Sequence, residues 1–208
     1  MKCIFSILTL LLLATAPSSM GQGAVNFNNR VTGAGGVVAP IYGLGGLCYE
    51  RLQGNATTNG GTIDYTGYPL LAGTSYSAEL LADTGSGFIS ISTVQFRTTA
   101  SLPGFITPPL PAPSVSSLAP TTFKVRAWNN GGNLNSTWAN ALQSDRAVGE
   151  SLPFVVTPVA SPGNAATLVG LTSFNLTVAG PCIPEPAVMM LGALAGVALL
   201  WRRRKVSR

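Results

Sequence analysis

Acid–base and nucleophilic chemistry at neutral pH usually begins with histidine, a reactive cysteine or a carboxylate pair, and this 208-residue chain has no histidine. That removes the usual general base, the Ser-His and Cys-His nucleophile pairs and the commonest metal ligand. Six carboxylates remain in the body of the chain: Glu50, Asp64, Glu79, Asp83, Asp145 and Glu150. Two are enough to hydrolyse a glycosidic bond, and Glu79 and Asp145 are the ones to substitute in testing for a glycan hydrolase. Their spacing converges on no site, however. Glu79 and Asp83 fall on an expected strand and its turn, Asp145 and Glu150 in a polar loop, so solvated surface carboxylates are expected, with no catalytic residue among them. The same residues form no D-x-D-x-D-G loop for calcium, and neither a metal nor a cofactor is expected.

The remaining motifs are weaker. Gly33-Ala34-Gly35-Gly36 and Gly43-Leu44-Gly45-Gly46 lack the spacing and following helix of a phosphate-binding loop and read as turns. Asn55, Asn135 and Asn175 begin N-x-[ST] triplets that an Asn- and Thr-rich chain produces by chance. Cys48 and Cys182 are either bridged, tethering the tail to the first strands, or two free thiols. Trp128 and Trp138, if exposed, are candidate platforms for stacking against sugars, with core or edge packing as the favoured reading.

The net charge of +5 and the pI near 9.5 are set by the two ends. Lys2 lies at one end, and Arg202, Arg203, Arg204, Lys205 and Arg208 at the other, with Glu185 alone opposing them. Between them six scattered cations balance six carboxylates. A basic stripe interleaved with aromatics is absent, so no nucleic-acid partner is expected.

Those ends read as targeting segments. Lys2, an apolar stretch from Ile4 to Ala16 and the small residues of Ser19-Met20-Gly21 make residues 1–21 a signal peptide cut between Gly21 and Gln22, with a cut after Gly23 as the alternative. Cys3 lies too early for a lipoprotein signal. At the far end the apolar run Ala187 to Trp201 is about 22 Å long as a helix, against roughly 30 Å of hydrocarbon. Trp201 at the interface and the snorkelling Arg202, Arg203, Arg204 and Lys205 supply the missing length. A transmembrane helix over 187–201 with a cytoplasmic C-terminus is therefore expected. Ahead of it, Pro184-Glu185-Pro186 favours extended backbone that cannot continue a helix, which suits a processing site and equally a plain helix N-terminus.

The order Pro184-Glu185-Pro186, apolar span, Arg202-Arg203-Arg204-Lys205, with a signal peptide at the opposite end, resembles the PEP-CTERM sorting signal of exported bacterial proteins. The resemblance covers the tail 183–208. It implies a membrane-embedded, exosortase-type sorting enzyme as partner, processing at or near the tripeptide, and release or transfer of the body to the cell surface. The opening Gln22-Gly23-Ala24-Val25-Asn26-Phe27-Asn28-Asn29-Arg30, with Ala39-Pro40-Ile41-Tyr42, also resembles exported PEP-CTERM proteins of one bacterial lineage.

The body, 22–181, is long enough for one domain with a sizeable core. Short alternating runs broken by turn residues point to an all-β fold, a single immunoglobulin- or fibronectin-like β-sandwich. The expected strands are Ala24–Arg30, Tyr76–Ala82, Ile89–Thr98, Thr122–Asn129, Phe154–Thr157 and Thr167–Val178, with no helix before the tail. In Phe123-Lys124-Val125-Arg126-Ala127 the apolar residues share one face and the cations the other. Leu71 to Glu79 and Leu118 to Arg126 resemble each other and the corner entering a late strand of such sandwiches, so Tyr76 is expected to donate a corner hydrogen bond, while Phe123 can only pack. The six prolines from Pro103 to Pro120 mark a long loop or edge segment. The expected function is a non-enzymatic surface or matrix protein, with extracellular polysaccharide as a candidate contact.

Overall fold

The computed structural model describes residues 22–46, 49–160 and 163–178. The targeting expectations for Gly21, Pro184, Glu185, Pro186 and Arg202 to Lys205, and the pairing of Cys48 with Cys182, lie outside these residues; Gln22 is exposed and precedes the first strand.

The described residues form an all-β fold. Its strands are β1 (Gly23–Asn26), β2 (Arg30–Val31), β3 (Val37–Val38), β4 (Ile41–Tyr42), β5 (Tyr76–Asp83), β6 (Phe88–Gln95), β7 (Ser114–Val115), β8 (Thr121–Asn129), β9 (Val148–Glu150), β10 (Phe154–Val156), β11 (Val159–Ala160), β12 (Ala166–Thr167) and β13 (Phe174–Asn175). The larger sheet has the order β10-β8-β5-β6, with β9 also on β8, all antiparallel. Ser151 joins β9 to β10: its N–H donates to the Val125 carbonyl at 2.8 Å and its hydroxyl accepts the Val125 N–H at 3.0 Å. A side chain thus completes the ladder where the backbone leaves it. In the second sheet β1 pairs antiparallel with β7 and β11 and parallel with β12. Two short pairs, β2 with β3 and β4 with β13, complete the set.

Period-two alternation decides what is buried. Ala78, Leu80 and Ala82 on β5 stand opposite Ala127, Val125 and Phe123 on β8, and all six are buried. Val25 and Phe27 from the second sheet enter the same core, with Phe96, Phe174, Leu168 and Leu176. Asn29 follows Val25 and Phe27 at the same inward parity and is fully buried. Its Nδ2 donates to the carbonyls of Ala39 and Gly104 at 2.8 and 2.9 Å, and its Oδ1 accepts the Ile106 N–H at 2.9 Å. One side chain thereby ties three backbone segments around the core.

Several expectations are corrected. A helix, α1 (Trp138–Gln143), stands where none was expected. Thr137 caps it, its Oγ1 accepting the Asn140 N–H at 3.2 Å. The stretch Thr167–Val178 is not one strand: Ala166–Thr167 and Phe174–Asn175 are separate strands and Thr177 makes an isolated bridge to Val148, because Gly170, at φ +98°, turns the chain after the first of them. Tyr76 is no corner donor; its ring packs edge-on against Phe96 at 6.3 Å. Tyr65 does that work, its hydroxyl lying 2.8 Å from the Gly54 carbonyl and 2.9 Å from that of Ser173. Among the described residues no helix is long and apolar enough to cross a membrane.

Candidate functional site

The face of β5, β8 and β9 that turns away from the core gathers an ion-paired cluster of Glu79, Lys124, Arg126 and Glu150, joined by Arg51. Glu79, Arg126 and Glu150 lie in one row across the three strands, each opposite the next. The parity that sends Ala78, Leu80, Val125 and Ala127 inward sends Glu79, Lys124 and Arg126 outward. Arg126 donates through Nε to the Glu79 carboxylate. Its guanidinium carbon also lies over the Trp138 ring, 5.2 Å from the centroid. Glu150 takes Arg51 at 3.1 Å and Lys124 at 3.3 Å, and the Lys124 Nζ sits 5.3 Å from the Phe88 ring centroid. Burial pushes the Glu150 carboxyl up, but the hydrogen bonds and charges of Arg51 and Lys124 outweigh it and hold the group below the ordinary glutamate range.

This face corrects two sequence readings and decides a third. Glu79 is buried rather than solvated, at 7 % exposure, with the Arg126 guanidinium paired to its carboxylate. Glu150 belongs to β9 rather than to a loop. Trp128 is buried, in line with the core-packing reading and against the sugar platform: Trp138, the first residue of α1, packs against it at right angles with 6.3 Å between centroids, and the Trp128 Nε1 donates to the Ser136 carbonyl at 3.0 Å. Trp138 is half-buried, with a cation on its ring.

The carboxylates brought into one row are Glu79 and Glu150, two strand spacings apart or about 10 Å between backbones. Asp145, named with Glu79 only as a residue to substitute, lies exposed in the turn leaving α1, at φ +49°. General-acid work needs a carboxyl whose pKa is raised. Glu150 is held the other way, and Glu79 is committed to Arg126. Asp64, also exposed, is held low by the side-chain and backbone hydrogen bonds of Thr66. Among the described residues no group of three or more His, Cys, Asp or Glu side chains gathers as a metal site.

A second feature is an open groove of about 520 Å³ where the end of the β5–β6 hairpin faces β7 and the start of β8. Ile89, Ile91 and Val115 supply its apolar lining, and hydroxyls of Thr84, Ser116 and Thr121 are among its polar groups. The combination suits an amphipathic ligand such as a sugar ring, which has an apolar face and a hydroxylated edge. Its one acidic lining residue is Asp83, whose Oδ1 accepts the Gly85 N–H at 2.8 Å.

A third cluster stacks Tyr42 on Tyr65, 4.1 Å between centroids and 8° between planes, with Tyr68 edge-on to Tyr65. Burial, with Tyr42 beside it, raises the Tyr65 phenol well above its ordinary value. The Tyr68 hydroxyl donates to the Glu50 carboxylate at 2.6 Å; that bond, then burial, pushes its pKa up to about 12. The cluster is anchored through Asn175, buried, which takes the Leu52 N–H on Oδ1 at 2.7 Å and donates to the Glu50 carbonyl at 2.8 Å. Sequence reasoning saw Asn175 only as a chance sequon. For Asn29 a signal was present, since its parity with Val25 and Phe27 marks it as inward-facing.

The chain matches no protein-family model, no curated protein and no solved structure.

Proposed function

We propose that this chain is an exported, non-enzymatic cell-surface or extracellular-matrix protein, sorted through its C-terminal tail and in contact with extracellular polysaccharide. The observation that carries the non-enzymatic reading is the neutralised row on the larger sheet. Glu79 and Glu150 are held by Arg126, Arg51 and Lys124, so neither stands ready to protonate a leaving group. The groove beside Ile89, with its mixed apolar and hydroxyl lining, supports polysaccharide contact better than Trp128, which is buried. A single immunoglobulin- or fibronectin-like sandwich is part of this proposal, supported by the core that the two larger sheets share. The parallel β1–β12 and β4–β13 pairs depart from the all-antiparallel pattern of such sandwiches.

Sorting rests on the order of residues in the tail. Its partners are an exosortase-type enzyme and, through the 187–201 helix, the inner membrane. The test is the mass of the mature C-terminus in cells with and without a working exosortase. An end near Pro184 to Pro186 that depends on the enzyme supports release of the body, whereas an intact Arg208 in both strains overturns sorting and leaves a membrane-tethered domain. The competing reading, a glycan hydrolase, predicts hydrolysis of a glycan panel that is lost on Glu79→Gln or Asp145→Asn.

A further inference from the structure

Strand β6 is an edge that lacks the usual guards. A sheet edge presents a row of unpaired N–H and C=O groups, and proteins normally protect it with lysine, proline or a covering segment. From Thr84 to Phe96 this chain has neither a charged residue nor a proline. One side of β6 pairs with β5. The other is covered at its C-terminal end, where the Thr107 N–H donates to the Gln95 carbonyl at 2.8 Å and the Arg97 N–H to the Phe105 carbonyl at 2.9 Å. Among the described residues no strand pairs with Phe88 to Thr93 on that side. Phe88 and Ile89 are 39 % and 49 % exposed. Because the Gln95 carbonyl points away from β5, antiparallel alternation points the Thr93 N–H and C=O the same way. Besides that covered end, the guarding features are the register shift opposite Leu80 and Leu81 and the Lys124 Nζ 5.3 Å from the Phe88 ring centroid.

We infer that the free edge of β6 is an assembly edge, on which β6 of a second copy of this chain pairs antiparallel. The groups to be satisfied are backbone donors and acceptors, so the occupant is an extended strand. The absence of charge selects a second copy. Two-fold pairing sets this run against itself, so any charge within it would meet its like, and an edge bearing none is self-compatible. Ser90, Ser92 and Thr93 add hydroxyls that can bond across the seam. This goes beyond the matrix reading by naming a partner, and its test contains no polysaccharide, so its failure is distinct from a failure to bind polysaccharide.

The test is sedimentation of the full chain in detergent micelles over a concentration series, for the wild type, Thr93→Lys and Thr93→Pro. The Thr93 N–H faces away from β5, so proline there removes no β5–β6 bond. The expected result is a concentration-dependent wild-type dimer that both substitutions weaken at least about tenfold, the equivalent of 1.4 kcal/mol. A wild type that stays monomeric overturns the inference, as does a dimer that both folded variants retain. Should the variants fail to fold, hydrogen exchange of the wild type decides: protection of Phe88 to Thr93 must rise with concentration, and unchanged protection overturns the inference.

Discussion

Replacing Asn29 by alanine should be among the most destabilising single changes in the body, although the residue touches no candidate ligand. Its amide closes three hydrogen bonds of 2.8 to 2.9 Å to Ala39, Gly104 and Ile106, all in a fully buried position. Alanine leaves the Ile106 N–H and the Ala39 carbonyl without that partner, whereas the Gly104 carbonyl keeps the Ile41 N–H at 2.9 Å. Two orphaned buried groups at about 1–3 kcal/mol each give a cost of about 2–6 kcal/mol, against a total stability of roughly 5–15 kcal/mol. For a body of this size each kcal/mol lowers Tm by about 2–4 °C, so a fall of about 10 °C is expected. Thermal unfolding followed by circular dichroism measures it, with Asn28→Ala as control: the Asn28 Oδ1 accepts the Arg30 N–H at 3.0 Å in an exposed position, where water replaces it. Asn29→Asp restores the volume but replaces the amide nitrogen, with its two N–H donors, by one oxygen facing two carbonyls, so it should be no better than alanine. An Asn29→Ala melt within about 2 °C of the Asn28→Ala melt would refute the reasoning, and recovery in Asn29→Asp would show that lost volume, not unpaired backbone, sets the cost.

Glu150 should govern part of the acid sensitivity. Its folded-state pKa lies below the unfolded value, so its contribution is present above about pH 4.3 and is lost as pH falls through the folded value. Denaturant midpoints of Glu150→Gln should therefore trail the wild type by less than about 1 kcal/mol at pH 7, because the pair is only part-buried, and the gap should close below about pH 4. A gap that widens in acid would contradict the ion-pair assignment. Gly149 on β9 should tolerate no side chain, since a Cβ there would lie 2.3 Å from the Asn175 carbonyl oxygen, a backbone atom that cannot swing aside. Gly149→Ala should cost about 1–3 kcal/mol in chemical denaturation, whereas Gly46→Ala, which meets nothing within 4 Å, should unfold near the wild type.

The positions of the long strands were legible because alternation is a local property. The expected Tyr76–Ala82, Ile89–Thr98, Thr122–Asn129 and Phe154–Thr157 reappear as β5, β6, β8 and β10 with shifts of one to three residues at their ends. The outward cations of β8 were legible for the same reason. The partner of each was not: Glu79 and Arg126 lie 47 positions apart, and only antiparallel registry sets them face to face. The six-residue helix α1 is too short to show a helical period, and it is this helix that packs Trp138 over Trp128.

By itself, then, the sequence determined that no histidine chemistry is open to the chain, the charge balance of its body, and the period-two pattern that makes it a β protein. Its targeting reading belongs to the same level, because it depends on the order of residues along the chain and not on their contacts. Tertiary structure alone decided that two asparagines are structural brackets, that Glu79 and Trp128 are buried, and that among the described residues no strand pairs with Phe88 to Thr93 on the outer side of β6. Each of these depends on which distant segment arrives alongside, and burial or exposure follows from that arrival rather than from residue type.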